Sequence, residues 1–303
     1  MKLVSFAPAG GDDESTIPQP RLGLLTERGI GDLAPAGIDS LAAAMAAWPL
    51  DPDAVAEPLD GGAVRLLAPI PHPGKIICVG LNYHDHCREQ GIEAPAYPML
   101  FAKFANAVTH PGEPVTRPRA TERLDLECEL AVVIGRAASR VGPEEALEAV
   151  FGYTILNDVT MRDLQREDRQ WLRAKGADGF APIGPAVVTR DELGDGRGLR
   201  VRSVVNGETW QDSTTDEMIF DVPTLVAFVS RTIRLEPGDL VSTGTPAGVG
   251  HFQDPPRYLS GGDVMRCEIE GIGILENPVV DEQPRTDDHA AAAGVVELMG
   301  LAR

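Results

Sequence analysis

The sequence predicts a β-rich, mixed α/β fold, with a main domain over residues 75–280, a small N-terminal α+β domain over 1–70 and a tail over 281–303. Three observations lead there. Apolar runs of strand length outnumber helical patterns. Glycine and proline number 32 and 25, about a fifth of the chain, against roughly 12% in an average protein, while 43% of residues stay hydrophobic. A proline-rich stretch around Pro69, Pro71 and Pro73 separates an irregular first part from a strand-dense second part.

The elements follow in order. Residues 1–70 hold a short apolar run at Leu22–Leu25 and an alanine-rich helical stretch at Ile38–Trp48, joined by proline-rich connections. Lys75–Gly80 has the pattern of a buried strand, and further strands are expected at Leu126–Ile134, Gly152–Asn157, Ala186–Val188, Arg200–Asn206, Leu240–Thr243 and Val264–Ile269. Helices are expected at His84–Gln90, Pro143–Val150 and Val222–Ser230. Asn206-Gly207 signals a hairpin. After Pro278 the composition turns acidic and then alanine-rich, which predicts a surface helix or loose tail.

Composition excludes some function classes. A formal charge of −19 opposes nucleic-acid binding, which depends on clustered Lys and Arg. No run approaches the ~20 apolar residues of a membrane span, and residues 1–14 lack a signal-peptide pattern, so a cytoplasmic protein is expected. Cys78, Cys87, Cys128 and Cys267 are scattered without metal-binding spacing and are expected to be reduced, mostly buried thiols.

The chemistry concentrates in a few segments. In Leu124–Leu130 acids alternate with apolar residues, so a strand places Asp125, Glu127 and Glu129 on one face. Such alternation is commonly a solvated strand face. Here Ala131–Ile134 continue without a polar residue, which marks a buried central strand where adjacent carboxylates repel unless an ion neutralises them. An all-oxygen ligand set favours Mg²⁺ or Mn²⁺, with Ca²⁺ as a substitute. The apolar strand ending at Asn157-Asp158 offers Asp158 as third ligand. Arg162 and Gln165 fall one helical turn apart and face the metal together.

Asn82 is placed to cap a short helix on which His86 and Glu89 lie at i and i+3, a pairing that orients an imidazole as general base; the plainer reading is a surface pair. Thr243–Gly250 is glycine-rich but lacks a phosphate-loop pattern, so the Gly244 amide and Thr245 hydroxyl are read as holding a substrate carboxylate, with Lys175 supplying a cation to the same anion.

The blocks GLNYHDHCRE, YPMLFAKFANAV, LDLECELAVVIG, GYTILNDVTMRDLQ, APIGP, STTDEMIF, EPGDLVSTGTPAGVG and GDVMRCEIEGIG, in this order over about residues 75–278, resemble the fumarylacetoacetate hydrolase family. The resemblance implies a β-sandwich roll, a homodimer, Mg²⁺ or Mn²⁺ on Glu127, Glu129 and Asp158, and a lid helix bearing His86 and Glu89. It implies further that Arg162, Gln165, Lys175 and Thr245 surround the oxo-acid end of the substrate, with Asn82 and Tyr83 at the base of the lid. The substrate is then a small 2-oxo or diketo acid. The reaction expected is hydrolysis of a carbon–carbon bond in an acylpyruvate through a stabilised enolate, with water activated by His86 and Glu89. Isomerisation of a 2-hydroxyhepta-2,4-diene-1,7-dioate type of diacid and decarboxylation of oxaloacetate are the alternatives, and a non-catalytic metal-binding module is the rival from outside enzymology. Two departures from the family pattern, Leu81 and Asp178–Ala181, bear on pocket shape.

Overall fold

A computed structural model describes residues 1–8, 20–51, 58–59 and 64–284. Most of the expected tail, and part of the proline-rich stretch before residue 60, lie outside the described residues. The molecule is strand-rich with mixed α/β content, as expected. Its large sheet runs in the order Gly29–Asp32, Arg21–Thr26, Lys2–Pro8, Ala181–Thr189, Val150–Asn157, Cys128–Ile134, Leu240–Ser242, Ile76–Gly80, Met99–Lys103. A second sheet has five strands, Glu208–Thr214, Arg200–Val205, Val264–Ile269, Gly273–Asp281 and Val115–Arg117.

The central strand explains the layering. Along Cys128–Ile134 every residue is buried, and period-two alternation sends Leu130, Val132 and Ile134 into one core, Ala131 and Val133 into another. The first core is shared with Val201, Met265, Cys267 and Leu275 of the second sheet, which makes a sandwich. The second is closed by Leu3, Leu22, Leu24, Leu41 and Ala44 from the N-terminal segment.

That segment is therefore not set apart at residue 70. Lys2–Pro8 pairs with Ala181–Thr189 at Lys2↔Val188 and with Val64–Leu67 at Ser5↔Leu67, so backbone hydrogen bonds run from the first strand into the main sheet. The proline-rich stretch turns the chain without ending the sheet.

Local signals locate the elements, with shifted ends. The first helix covers Leu41–Ala47, capped by the Ser40 hydroxyl, which accepts from the Ala43 amide at 3.2 Å. The helix at Pro143 ends at Ala146 and passes through a 3₁₀ turn, because Val150 already pairs with Ile134 as strand. Ala181–Thr189 is longer than expected; Pro185 hides it, and the register shift opposite, between Tyr153 and Ile155, accommodates a residue without an N–H. Asn206 and Gly207, with φ of +51° and +85°, make the hairpin turn. All four cysteines are buried and free, and among the described residues no helix is long and apolar enough to cross a membrane.

Candidate metal centre and active site

The antiparallel register builds the centre. Cys128 faces Asn157 and Glu129 faces Leu156, so Asp158, just past the end of its strand, comes to lie opposite Glu127, whose carbonyl accepts from the Asp158 amide at 2.9 Å. One carboxylate oxygen from each of Glu127, Glu129 and Asp158 falls within 4.8 Å of the others, and all three residues are buried.

Asp125, the third acid of the alternating run, does not join them. The strand breaks at Leu126-Glu127, because the Asp125 carboxylate captures backbone amides: Oδ1 accepts from Leu126 and Gly250, each at 2.9 Å, and Oδ2 from His251 at 3.0 Å. Oδ2 also accepts from Arg162 Nε at 2.8 Å.

Buried cations bracket the acids. Lys175 Nζ donates to Asp158 Oδ2 at 2.7 Å, Glu127 Oε2 at 3.0 Å and the Thr160 hydroxyl at 2.8 Å, which uses all three ammonium protons. Arg162 adds Nη2 to Glu127 Oε1 at 2.7 Å and Nη1 to Gln165 Oε1 at 3.0 Å. Lys103, fully enclosed, stands 2.6 Å from Asp158 Oδ1 and donates to the carbonyls of Val159, Lys175 and Phe180. Sequence reasoning missed Lys103; a lone lysine near the end of an apolar strand carries no pattern.

The electrostatics leave room for a cation. Burial pushes the Glu127 carboxyl up, yet Lys175 and Arg162, helped by His86, hold it down at about 2. Glu129 has no cation within 4 Å among the described residues: burial and the charges of Asp158 and Glu127 push it well above the usual carboxylate range, against the hydrogen bond from the Ser242 hydroxyl at 2.5 Å, the more distant Lys175 charge and the Gly244 amide at 3.2 Å. Burial pulls the Lys175 ammonium down, but Asp158 and Glu127 outweigh it and leave it above its ordinary range, so it is a fixed positive charge rather than a base. Asp125, Glu127, Glu129 and Asp158 are four carboxyl groups facing the three cations Lys103, Lys175 and Arg162, and the one left over, Glu129, is the group whose charged form a bound ion would stabilise. The donor set is all oxygen and fits a hard divalent ion, which would also reverse the sign of the pocket.

The helix His84–Gln90 brings an imidazole to the same cavity. His86 Nδ1 stands 2.8 Å from Glu89 Oε2, and Glu89 Oε1 accepts from the Gly248 amide at 2.8 Å. Gly248 has φ +102°, and a Cβ there would sit 2.2 Å from the Trp210 carbonyl oxygen, so only glycine lets that amide approach. Asn82 does not cap this helix. Its amide donates to the carbonyls of Phe220 and Thr243 and its oxygen accepts from the Phe220 amide, which ties the helix base to the sheet.

A cavity of about 270 Å³ opens onto the acids, lined by His86, Glu127, Glu129, Arg162, Gln165, Lys175 and Thr245 among the expected residues. Asp158, Glu89, Asn82, Tyr83 and Gly244 stand behind its wall. The glycine-rich loop is not free to bind a substrate carboxylate as expected: Gly244, Gly248 and Gly250 give their amides to the protein's own Glu129, Glu89 and Asp125. Thr245 is likewise engaged, donating to the Cys128 carbonyl and accepting from Gln211 Nε2. Phe101, Arg166, Trp171, His251 and Phe252 also line the cavity and were not anticipated. Of the two departures, Leu81, at φ +54°, lines it, whereas Asp178–Ala181 does not.

Residues 75–280 match the family described as fumarylacetoacetate (FAA) hydrolase, C-terminal. The mitochondrial oxaloacetate tautomerase of Xenopus laevis is 46% identical over 219 residues, covering 72% of this chain and 69% of that protein. Among solved structures, a fumarylacetoacetate hydrolase from Exiguobacterium antarcticum superposes with a TM-score of 0.81 at 41% identity, over 93% of this chain and 100% of that one. A 2-hydroxyhepta-2,4-diene-1,7-dioate isomerase from Mycobacterium marinum gives 0.74 at 36% identity, over 94% and 100%.

Proposed function

This chain belongs to the fumarylacetoacetate hydrolase family, and from that premise we propose that it interconverts the enol and keto forms of a small 2-oxo diacid of the oxaloacetate type through an enolate. One observation carries the reading: Glu127 and Glu129 of the buried triad line the same small cavity as His86, and Asp158 brings its carboxylate within reach of theirs from behind the wall. A divalent ion, Mg²⁺ or Mn²⁺, held by these three carboxylates would supply Lewis-acid stabilisation of the enolate oxygen.

The chain's own residues handle the proton. With Nδ1 held by Glu89, His86 has Nε2 left to take a proton from C3 of the keto form or return it to the enol carbon. Lys175 and Arg162, each paired with buried carboxylates, act by fixed charge near the developing anion. Phe101 and Trp171, edge to face at 5.3 Å, wall the cavity beside Lys175 and keep its surroundings poor in water.

A second reading has one observation in its favour. The chain from Gly248 through Glu89 to His86 would equally orient a base that activates water, which supports hydrolysis of an acylpyruvate. The name of the Xenopus relative favours the tautomerase. In this proposal the enzyme is cytoplasmic and homodimeric, which fractionation and light scattering test.

The deciding experiment uses purified protein stripped with chelator and then given Mg²⁺ or Mn²⁺. Loss of the enol absorbance of oxaloacetate without pyruvate release supports tautomerisation. Pyruvate from acetylpyruvate supports hydrolysis, and pyruvate from oxaloacetate supports decarboxylation. His86→Ala should abolish the first two and spare the third.

A further inference from the structure

The inner cations of the cavity are already paired with the protein's own acids. Lys175 spends its three on Glu127, Asp158 and Thr160, and Arg162 points to Asp125, Glu127 and Gln165. The rim is different. Arg166, one turn beyond Arg162 on the helix Arg162–Glu167, is exposed, lines the cavity and has no acidic partner within 4 Å among the described residues. His251 reaches the same cavity from the loop after the glycine-rich turn, half-buried against Phe252 at 4.8 Å between ring centres; Phe252 in turn packs on His86 at 5.7 Å.

We propose that His251 and Arg166 form a subsite at the mouth of the pocket for the second, distal carboxylate of a linear 2-oxo diacid. The inference rests on the reading of the inner site given above, which fixes the 2-oxo end at the acidic triad. His251 Nδ1 lies 2.8 Å from the Tyr258 hydroxyl. With that phenol donating to Nδ1, the ring proton sits on Nε2, where it is available to a carboxylate oxygen. Arg123 lies over the Tyr258 ring, its guanidinium carbon 5.9 Å from the ring centre, and steadies the phenol. Asp125 sets the spacing: Oδ2 accepts both the His251 amide and Arg162 Nε, so the loop bearing His251 is tied to the residue that holds Glu127. Burial, together with Arg162 and Arg123, pulls the His251 imidazole below its usual range, so the free ring stays neutral and a donor rather than a competing cation. In a chain of −19 net charge, an arginine at a cavity mouth with no carboxylate against it is suited to an incoming one.

The test is calorimetric binding, with no turnover, of 2-oxoglutarate and 2-oxopentanoate to protein loaded with Mg²⁺. The two ligands have the same chain length and differ in the distal carboxylate. Wild type should bind the diacid at least tenfold tighter, and both His251→Leu and Arg166→Gln should erase most of that preference while leaving the monoacid affinity within twofold. Equal affinities in wild type, equal weakening of both ligands by the substitutions, or failure of the diacid to bind would each overturn the subsite. A persistent diacid preference in a protein that does not tautomerise oxaloacetate would uphold the subsite and refute the proposed reaction.

Discussion

His86 Nδ1 and Glu89 Oε2 stand 2.8 Å apart on one face of the helix His84–Gln90, and the second Glu89 oxygen is held at 2.8 Å by the Gly248 amide. The carboxylate fixes both the tautomer and the direction of the imidazole, which is how a buried base is aimed. Glu89→Gln should lower kcat by about 10- to 100-fold with KM little changed, and His86→Ala by about 10²–10⁴-fold, the usual span for a general base. Steady-state kinetics on both variants check this; a Glu89→Gln enzyme of full activity would remove Glu89 from the mechanism.

Gly248→Ala tests the other end of the same chain. The new methyl would sit 2.2 Å from the Trp210 carbonyl oxygen at a φ of +102°, so the loop must move and carry the amide away from Glu89. Strain of this kind costs on the order of 1–3 kcal/mol. Urea unfolding should show the loss, and kcat should fall further than the residual folded fraction explains.

Lys175→Met separates charge from ligation. The variant leaves the three carboxylates in place and removes a positive charge, so Mg²⁺ affinity by calorimetry should hold or rise, while kcat/KM drops by about 10²–10³-fold, as for the loss of one preorganised electrostatic group. Loss of metal binding would show that Lys175 builds the site rather than serving the reaction.

Metal removal should be visible in stability. An ion that binds only the folded chain adds about 2.7 kcal/mol at a hundred times its Kd, so chelation should lower the melting temperature. Glu129→Gln removes a buried carboxylate crowded by Asp158 and Glu127, so this variant without metal should melt no lower than metal-free wild type. It should also need at least tenfold more Mg²⁺ for the same rise, as differential scanning calorimetry would record.

The pH dependence of stability has one local contributor away from the site. His110 Nδ1 accepts from the Ala68 amide at 3.0 Å, and burial, with Arg65 and His72 against Glu113, pulls its pKa below the usual 6.5. The unfolded chain takes up this proton near 6.5 and the folded chain resists, so the contribution is whole above 6.5 and shrinks as pH falls below it. His110→Asn should flatten the stability profile between that point and the folded pKa; an unchanged slope in urea titrations would contradict the assignment.

The sequence made the triad, the dyad and most of the sheet legible because each rests on short-range periodicity. Glu127 and Glu129 share a strand face, His86 and Glu89 share a helix face, and the apolar run Ala131–Ile134 marks the doubly covered strand. What stayed hidden depends on chain segments far apart. Asp125 reads as a third carboxylate on the same strand face and is diverted by amides more than a hundred residues away. Lys103 is buried only because three carbonyls and Asp158 converge on it. His251 follows a run of glycines that reads as a turn, and only the fold turns it toward the cavity. The N-terminal segment looked separate because proline punctuation is local, whereas its pairing with Ala181–Thr189 spans most of the chain.

The central claim, an enolate formed at the Glu127–Glu129–Asp158 centre with His86 carrying the proton, is tested most directly by isotope exchange. Oxaloacetate is placed in D₂O with the Mg²⁺-restored protein, and deuterium entry at C3 is followed by NMR. The account predicts exchange at least a hundredfold above background that stops on adding chelator and is absent in His86→Ala. Exchange that survives chelation, or persists in His86→Ala, would contradict it.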